Sequence, residues 1–111
     1  MKKNTNYRAV HFTAGRFTPE DVSAAEGDTQ TFPGFTVTEV DPGEYQVDLV
    51  KDLSILHVEA TTYPVSGVDA GHAVTLGDGA FFTLSLDDNG TPGDLGGSEV
   101  SFFCVQKDSD Q

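Results

Sequence analysis

Three histidines, one cysteine and a run of acids are the residues of this chain with chemistry to offer. His11, His57 and His72 are far apart, each in or beside a stretch of alternating polarity, so the spacing of a general base with its partner or of a metal-ligand set is missing. Cys104 is the single cysteine and cannot form a disulfide within the chain; its place in the apolar run VSFFCV reads as a buried thiol. No serine occupies a G-x-S-x-G elbow. Asp87, Asp88, Asn89 and Asp94 gather oxygen ligands in one segment, the chemistry that calcium prefers. A loop of EF-hand spacing starting at Asp87 would need glycine where Pro92 stands and glutamate where Ser98 stands, so a solvated acidic turn is expected. Asn89-Gly90-Thr91 also spells a glycosylation acceptor, which matters only in a secretory pathway. The expectation is of no catalytic group, no metal and no cofactor.

The elements that would carry these residues are almost all strands. Residues 35–50, FTVTEVDPGEYQVDLV, read as a β-hairpin about Asp41-Pro42-Gly43, with Phe35, Val37, Tyr45, Val47 and Leu49 facing the core. Upstream, alternation over Tyr7–Phe12 predicts a first strand that Gly15 breaks. Thr18-Pro19-Glu20-Asp21 then combines a hydroxyl cap, an N1 proline and first-turn acids, and predicts a short helix that Gly27 stops. Residues 27–34 read as a loop. Downstream, Ser54–Tyr63 alternates with Leu56, Val58 and Ala60 on one face and Ile55, His57, Glu59 and Thr61 on the other. Strands at His72–Leu76 and Ala80–Leu86 flank a Gly77-Asp78-Gly79 turn. Residues 87–98 read as an exposed loop, because six of its twelve residues are Gly, Pro or Asn. The last strand, Glu99–Gln106, is apolar on both faces. The fold class is all-β: an antiparallel β-sandwich or small jelly-roll with one short N-terminal helix. Residues 1–31 form an N-terminal arm and residues 32–111 the sandwich, within one compact domain of 111 residues.

Charge excludes some functions. With 18 Asp and Glu against 6 Lys and Arg, the net charge is −12, so phosphate backbones are repelled and nucleic-acid binding is not expected. The start MKKNTNYRAVHF has two lysines but no apolar run behind them, and the expectation is cytosolic synthesis without a membrane anchor. Phe81-Phe82 and Phe102-Phe103 are adjacent pairs, and neighbours in a strand face opposite ways, so one member of each pair leaves the core face. The escaping ring is either covered by loops or lies at a subunit interface.

Two stretches together resemble a known family. FTVTEVDPGEYQVDL and FFTLSLDDNGTPGDLGGSEVSFFCV look like a small β-domain recurrent in structural genes of tailed bacteriophages, with its Gly-x-Tyr hairpin and its strand, Asp-x-x-Gly-Thr-x-x-Asp-Leu, strand unit in the same order. The resemblance covers roughly residues 32–106; residues 1–31 match poorly. It implies a non-enzymatic virion protein: a capsid decoration (cement) protein made in the host cytoplasm and seated on the capsid surface. The implied partners are copies of itself, as a homotrimer, and the major capsid protein. The alternative is a tail-fibre or head-fibre receptor-binding domain using the loop with Asp87, Asp88, Asn89 and Asp94. Contacts with the shell or with neighbouring copies are expected from Lys2, Lys3, Tyr7, Arg8 and Arg16 in the arm and from Phe81 and Phe103.

Overall fold

The computed structural model describes residues 10–107; Lys2, Lys3, Tyr7, Arg8 and the start of the expected first strand lie outside the described residues. Within them the chain forms an antiparallel β-sandwich. A three-stranded sheet has the order β1 (Val10–Phe17), β9 (Glu99–Lys107), β5 (Ile55–Tyr63). The larger sheet runs β2 (Thr29–Phe32), β3 (Phe35–Asp41), β4 (Glu44–Leu49), β7 (Phe81–Asp88), β6 (Ala70–Leu76), and the short β8 (Thr91–Pro92) pairs with β7. The helix α1 (Pro19–Ala24) connects the two sheets, burying Pro19 and Val22.

The hairpin forms as its alternation dictates. Phe35 pairs with Leu49 and Val37 with Val47, and these four residues and Tyr45 are all buried. The turn is Pro42-Gly43, with Gly43 at φ 77°, and Val40 bulges out of register beside it, half exposed. Phe82, Leu84 and Leu86 of β7, and Val100, Phe102 and Cys104 of β9, join them in the core, with Phe17, Val22 and Leu95.

At several places tertiary packing overrides local signals. Gly15 does not break β1: the strand continues to Phe17, paired with β9 throughout. Glycine is needed there because a Cβ would sit 2.5–2.6 Å from the rings of Phe102 and Phe35. Residues 27–34 are not all loop, since Thr29–Phe32 pairs with β3 as β2 and Phe32 stacks on Phe35 with ring centroids 4.7 Å apart. In β5 a bulge between Ile55 and His57 turns Ile55 inward with Val58 and Ala60 and leaves Leu56 53% exposed, opposite to the face expected for it. Thr18 starts α1 with Pro19 at N1, but its hydroxyl makes no cap hydrogen bond. Val10–Thr31, grouped by sequence with the arm, are built into the sandwich through β1, α1 and β2.

Replacing Gly15 with Ala forces two core rings to move. Overpacking of this kind is expected to lower stability by about 3 kcal/mol, at the upper end of its usual range. Urea unfolding of Gly15→Ala beside the unchanged chain measures the loss; an equal midpoint would show that the rings give way freely.

Candidate functional site

The carboxylates of Asp87, Asp88 and Asp94 are each occupied with a backbone amide. Asn89 (φ 52°) and Gly90 (φ 91°) make the two-residue turn between β7 and β8, the left-handed pair that a tight hairpin of this kind requires. Asp87 Oδ2 accepts from the Gly90 amide at 2.7 Å, Asp88 Oδ1 from the Asp69 amide at 2.9 Å, and Asp94 Oδ1 from the Gly96 amide at 3.0 Å. Of residues 87–98, Asn89 to Pro92 are exposed but Leu95 and Ser98 are buried, so the segment is only partly the exposed loop expected. Leu95 lies at φ 61° against the core, and Ser98 donates to its carbonyl at 2.7 Å while accepting from the Val65 amide at 2.9 Å. Apolar burial of one leucine, rather than loop composition, decides that course. Among the described residues no group of three or more His, Cys, Asp and Glu is placed to hold a metal ion.

The hairpin tip and this segment meet. The Gly43 carbonyl accepts from the Leu86 amide at 2.7 Å, and a Cβ on Gly43 would lie 2.6 Å from the Gly93 nitrogen. Beside this junction a cleft of about 370 Å³ is lined by Asp41, Glu44, His72, Ser85, Asp87 and Pro92. His72 is exposed on the edge strand β6, His11 lies on β1 opposite Gln106, and His57 projects from β5, hydrogen-bonded to Glu59 at 3.1 Å. The three are thus on three different strands.

The two outer faces of the sandwich differ. Across the larger sheet a paired row reads Thr29, Thr38, Gln46, Thr83, Thr75, a hydroxyl and amide surface suited to water. On the smaller sheet, Phe12 is 59% and Phe103 42% exposed, their rings stacked with centroids 5.5 Å apart. Val10 and Leu56 are exposed with them. At the end nearer α1, Arg16 Nε donates to Glu99 Oε1 at 2.9 Å and its guanidinium lies 4.4 Å from the Tyr63 ring centre; Tyr63 in turn shares a 3.0 Å hydrogen bond with Ser101. Phe103 and Arg16, both expected to make contacts, are therefore brought to one face. Phe81 is not: it sits on the larger sheet, half-buried, its ring occupying the space a Cβ on Gly77 would need. Phe12 escaped the sequence reading, although its place opposite Val105 follows once β1 is paired with β9.

No family model, curated protein or solved structure matches the chain.

Two groups are shifted by the fold. Burial pushes the Cys104 thiol up to about 11. Burial likewise pushes the Tyr45 phenol up to about 12, against the lowering effect of its 2.9 Å hydrogen bond with Ser23. Both acids are neutral at pH 7 and are held neutral in the folded chain. As pH rises past the ordinary thiol value of 9.0, the unfolded chain loses protons that the folded chain keeps, and stability falls. Unfolding free energy should be insensitive to these two groups below about pH 8 and then drop between about pH 9 and 12, by on the order of 2–3 kcal/mol for each. Urea titrations at stepped pH check this. Cys104→Ala should remove the onset of the decline and leave the tyrosine part; an unaltered onset would refute the assignment.

Proposed function

We propose that this chain is a non-enzymatic structural protein of a tailed-phage virion, a decoration protein that stabilises the outside of the capsid. What supports the reading is the exposed Phe12–Phe103 face, taken with the resemblance carried by residues 32–106. A stacked aromatic pair on an outer sheet face is the surface expected of a protein whose work is to be bound to something. Of the residues with chemistry to offer, Cys104 lies in the core and Asp87, Asp88 and Asp94 hold backbone amides. The charge of −12 suits a place on the outer surface, away from packaged nucleic acid.

The mechanism is mass action. A protein that binds the assembled shell and not its separated subunits stabilises the shell by the free energy of that binding, and many copies multiply the effect. Its partners in this reading are copies of itself and the major capsid protein.

A receptor-binding fibre domain is the second reading, favoured by one observation. The tip at Asn89, Gly90 and Thr91 is exposed, yet it is held by the Asp87 cap and by buried Leu95 on its far side. A pre-ordered tip loses little entropy on binding.

Copy number separates the two. Quantitative mass spectrometry of purified virions should find this polypeptide in hundreds of copies per particle, and depleted particles should lose heat resistance. A handful of copies, with adsorption lost when residues 88–94 become a Gly-Ser linker, would move the assignment to the fibre. Absence from virions would end both.

A further inference from the structure

We propose that a second copy of this chain covers the outer face of the β1-β9-β5 sheet, the two stacked face to face about a two-fold axis at Phe103 with their strands running in opposite directions. The proposal stands on the purified chain alone, does not require the virion reading, and sets a two-fold pair in place of the homotrimer that the resemblance implies.

The outward residues of β9 are Glu99, Ser101, Phe103, Val105 and Lys107, alternating with buried Val100, Phe102, Cys104 and Gln106. Phe103 lies midway between Glu99 and Lys107. A two-fold rotation about an axis through Phe103, in the plane of the contact and across the strands, therefore sets the two Phe103 rings together. It also places each Glu99 over the other copy's Lys107. On β1, Ala14 is the partner of Phe103, so the same rotation carries Arg16 of one copy over Phe12 of the other. A guanidinium over an exposed ring is attractive, and Arg16 already stacks 4.4 Å from the centre of Tyr63. Among the described residues, like charges approach in this arrangement at the two Glu59 side chains on the β5 margin, each hydrogen-bonded to His57 of its own chain at 3.1 Å.

Charge also selects the direction. The end of the sandwich that holds α1 and the hairpin tip carries Glu20, Asp21, Asp28, Asp41, Glu44 and Asp94, with Arg16 as the cation near it. The opposite end holds Lys51 and Lys107 beside Asp52 and Asp78. Stacking with strands parallel would bring the acidic ends of two chains of charge −12 together, whereas antiparallel stacking separates them. Among the described residues the larger sheet's outer face is the more polar, with its Thr29-Thr38-Gln46-Thr83-Thr75 row and a half-buried Phe81.

The contact is small. Three strands at about 4.8 Å spacing and eight residues at about 3.3 Å span about 14 by 26 Å, below the roughly 800 Å² per partner of a standard stable interface. The pair should therefore be weak, and salt should tighten it, because screening relieves the repulsion between two chains of charge −12 more than it weakens the two surface Glu99–Lys107 attractions.

Sedimentation velocity of the full purified chain, over a concentration series in low and high salt, is the test. The mass should rise toward twice that of one chain, and at lower concentration when salt is added. Phe103→Ser and Phe12→Ser should each raise the dissociation constant about tenfold or more with the fold retained by circular dichroism, since neither side chain belongs to the core. Glu99→Lys and Lys107→Glu should each weaken the pair, and the double exchange should bind more tightly than either single variant, though short of the unchanged chain because Glu99→Lys also breaks the Arg16–Glu99 contact within each copy; a merely structural role for these residues would give no such rescue. A single-chain mass at every concentration, a trimer, a dimer indifferent to Phe103→Ser, or a double exchange that fails to rescue would each overturn the arrangement.

Discussion

The two sheets are joined where the Phe102 ring stands edge-on between Phe35, 4.9 Å away, and Phe82, 5.3 Å away. Edge-to-face rings contribute about 0.5–1.5 kcal/mol each beyond the area they bury. This wedge also fixes geometry. Gly15 lies over Phe102 and Phe35 with no room for a side chain, which sets how closely β1 approaches β3. β1 is thereby held beside β9 in a register that pairs Ala14 with Phe103 and Phe12 with Val105. The stacked aromatic face outside is thus a consequence of the wedge inside: with Phe102 committed to the core, Phe103 must point away from it.

A second fixed point lies at the other end of the core. The Pro42-Gly43 turn has backbone close beside it, from Leu86 and Gly93. Tyr45, next to the turn, reaches α1 through its 2.9 Å hydrogen bond with Ser23 and approaches Glu39 at 3.5 Å. The hairpin and the segment from Phe81 to Gly93 are therefore neighbours in space although far apart in the chain. Their glycines and acids serve this junction: glycine where backbone meets backbone, aspartate where a turn leaves an amide unpaired.

These two constraints leave a molecule with unlike outsides. The larger sheet presents threonines and a glutamine, the smaller one phenylalanines beside an Arg16–Glu99 pair. Apolar surface left outside a sandwich of this size costs solubility unless something covers it, and in a chain with three times as many acids as bases the covering contact must also avoid like charge.

By itself the sequence determined the all-β class, the hairpin with its five inward residues, the inward Phe82, Leu84 and Leu86, and the start of α1. All of these follow from periodicity and turn chemistry, which act between near neighbours. The outward position of Leu56 was not legible, because a bulge shifts alternation by one residue and leaves no composition mark. Nor was β2, whose four residues become a strand by pairing with β3, or the burial of Leu95, which depends on what lies beneath it. Gly15 reads locally as a breaker; only the rings of Phe35 and Phe102, distant in sequence, make glycine the residue that lets β1 continue. The gathering of Phe12, Arg16 and Phe103 on one face was likewise decided by the tertiary structure, since which strands pair, and in which register, is set by long-range packing and not by any single stretch of chain.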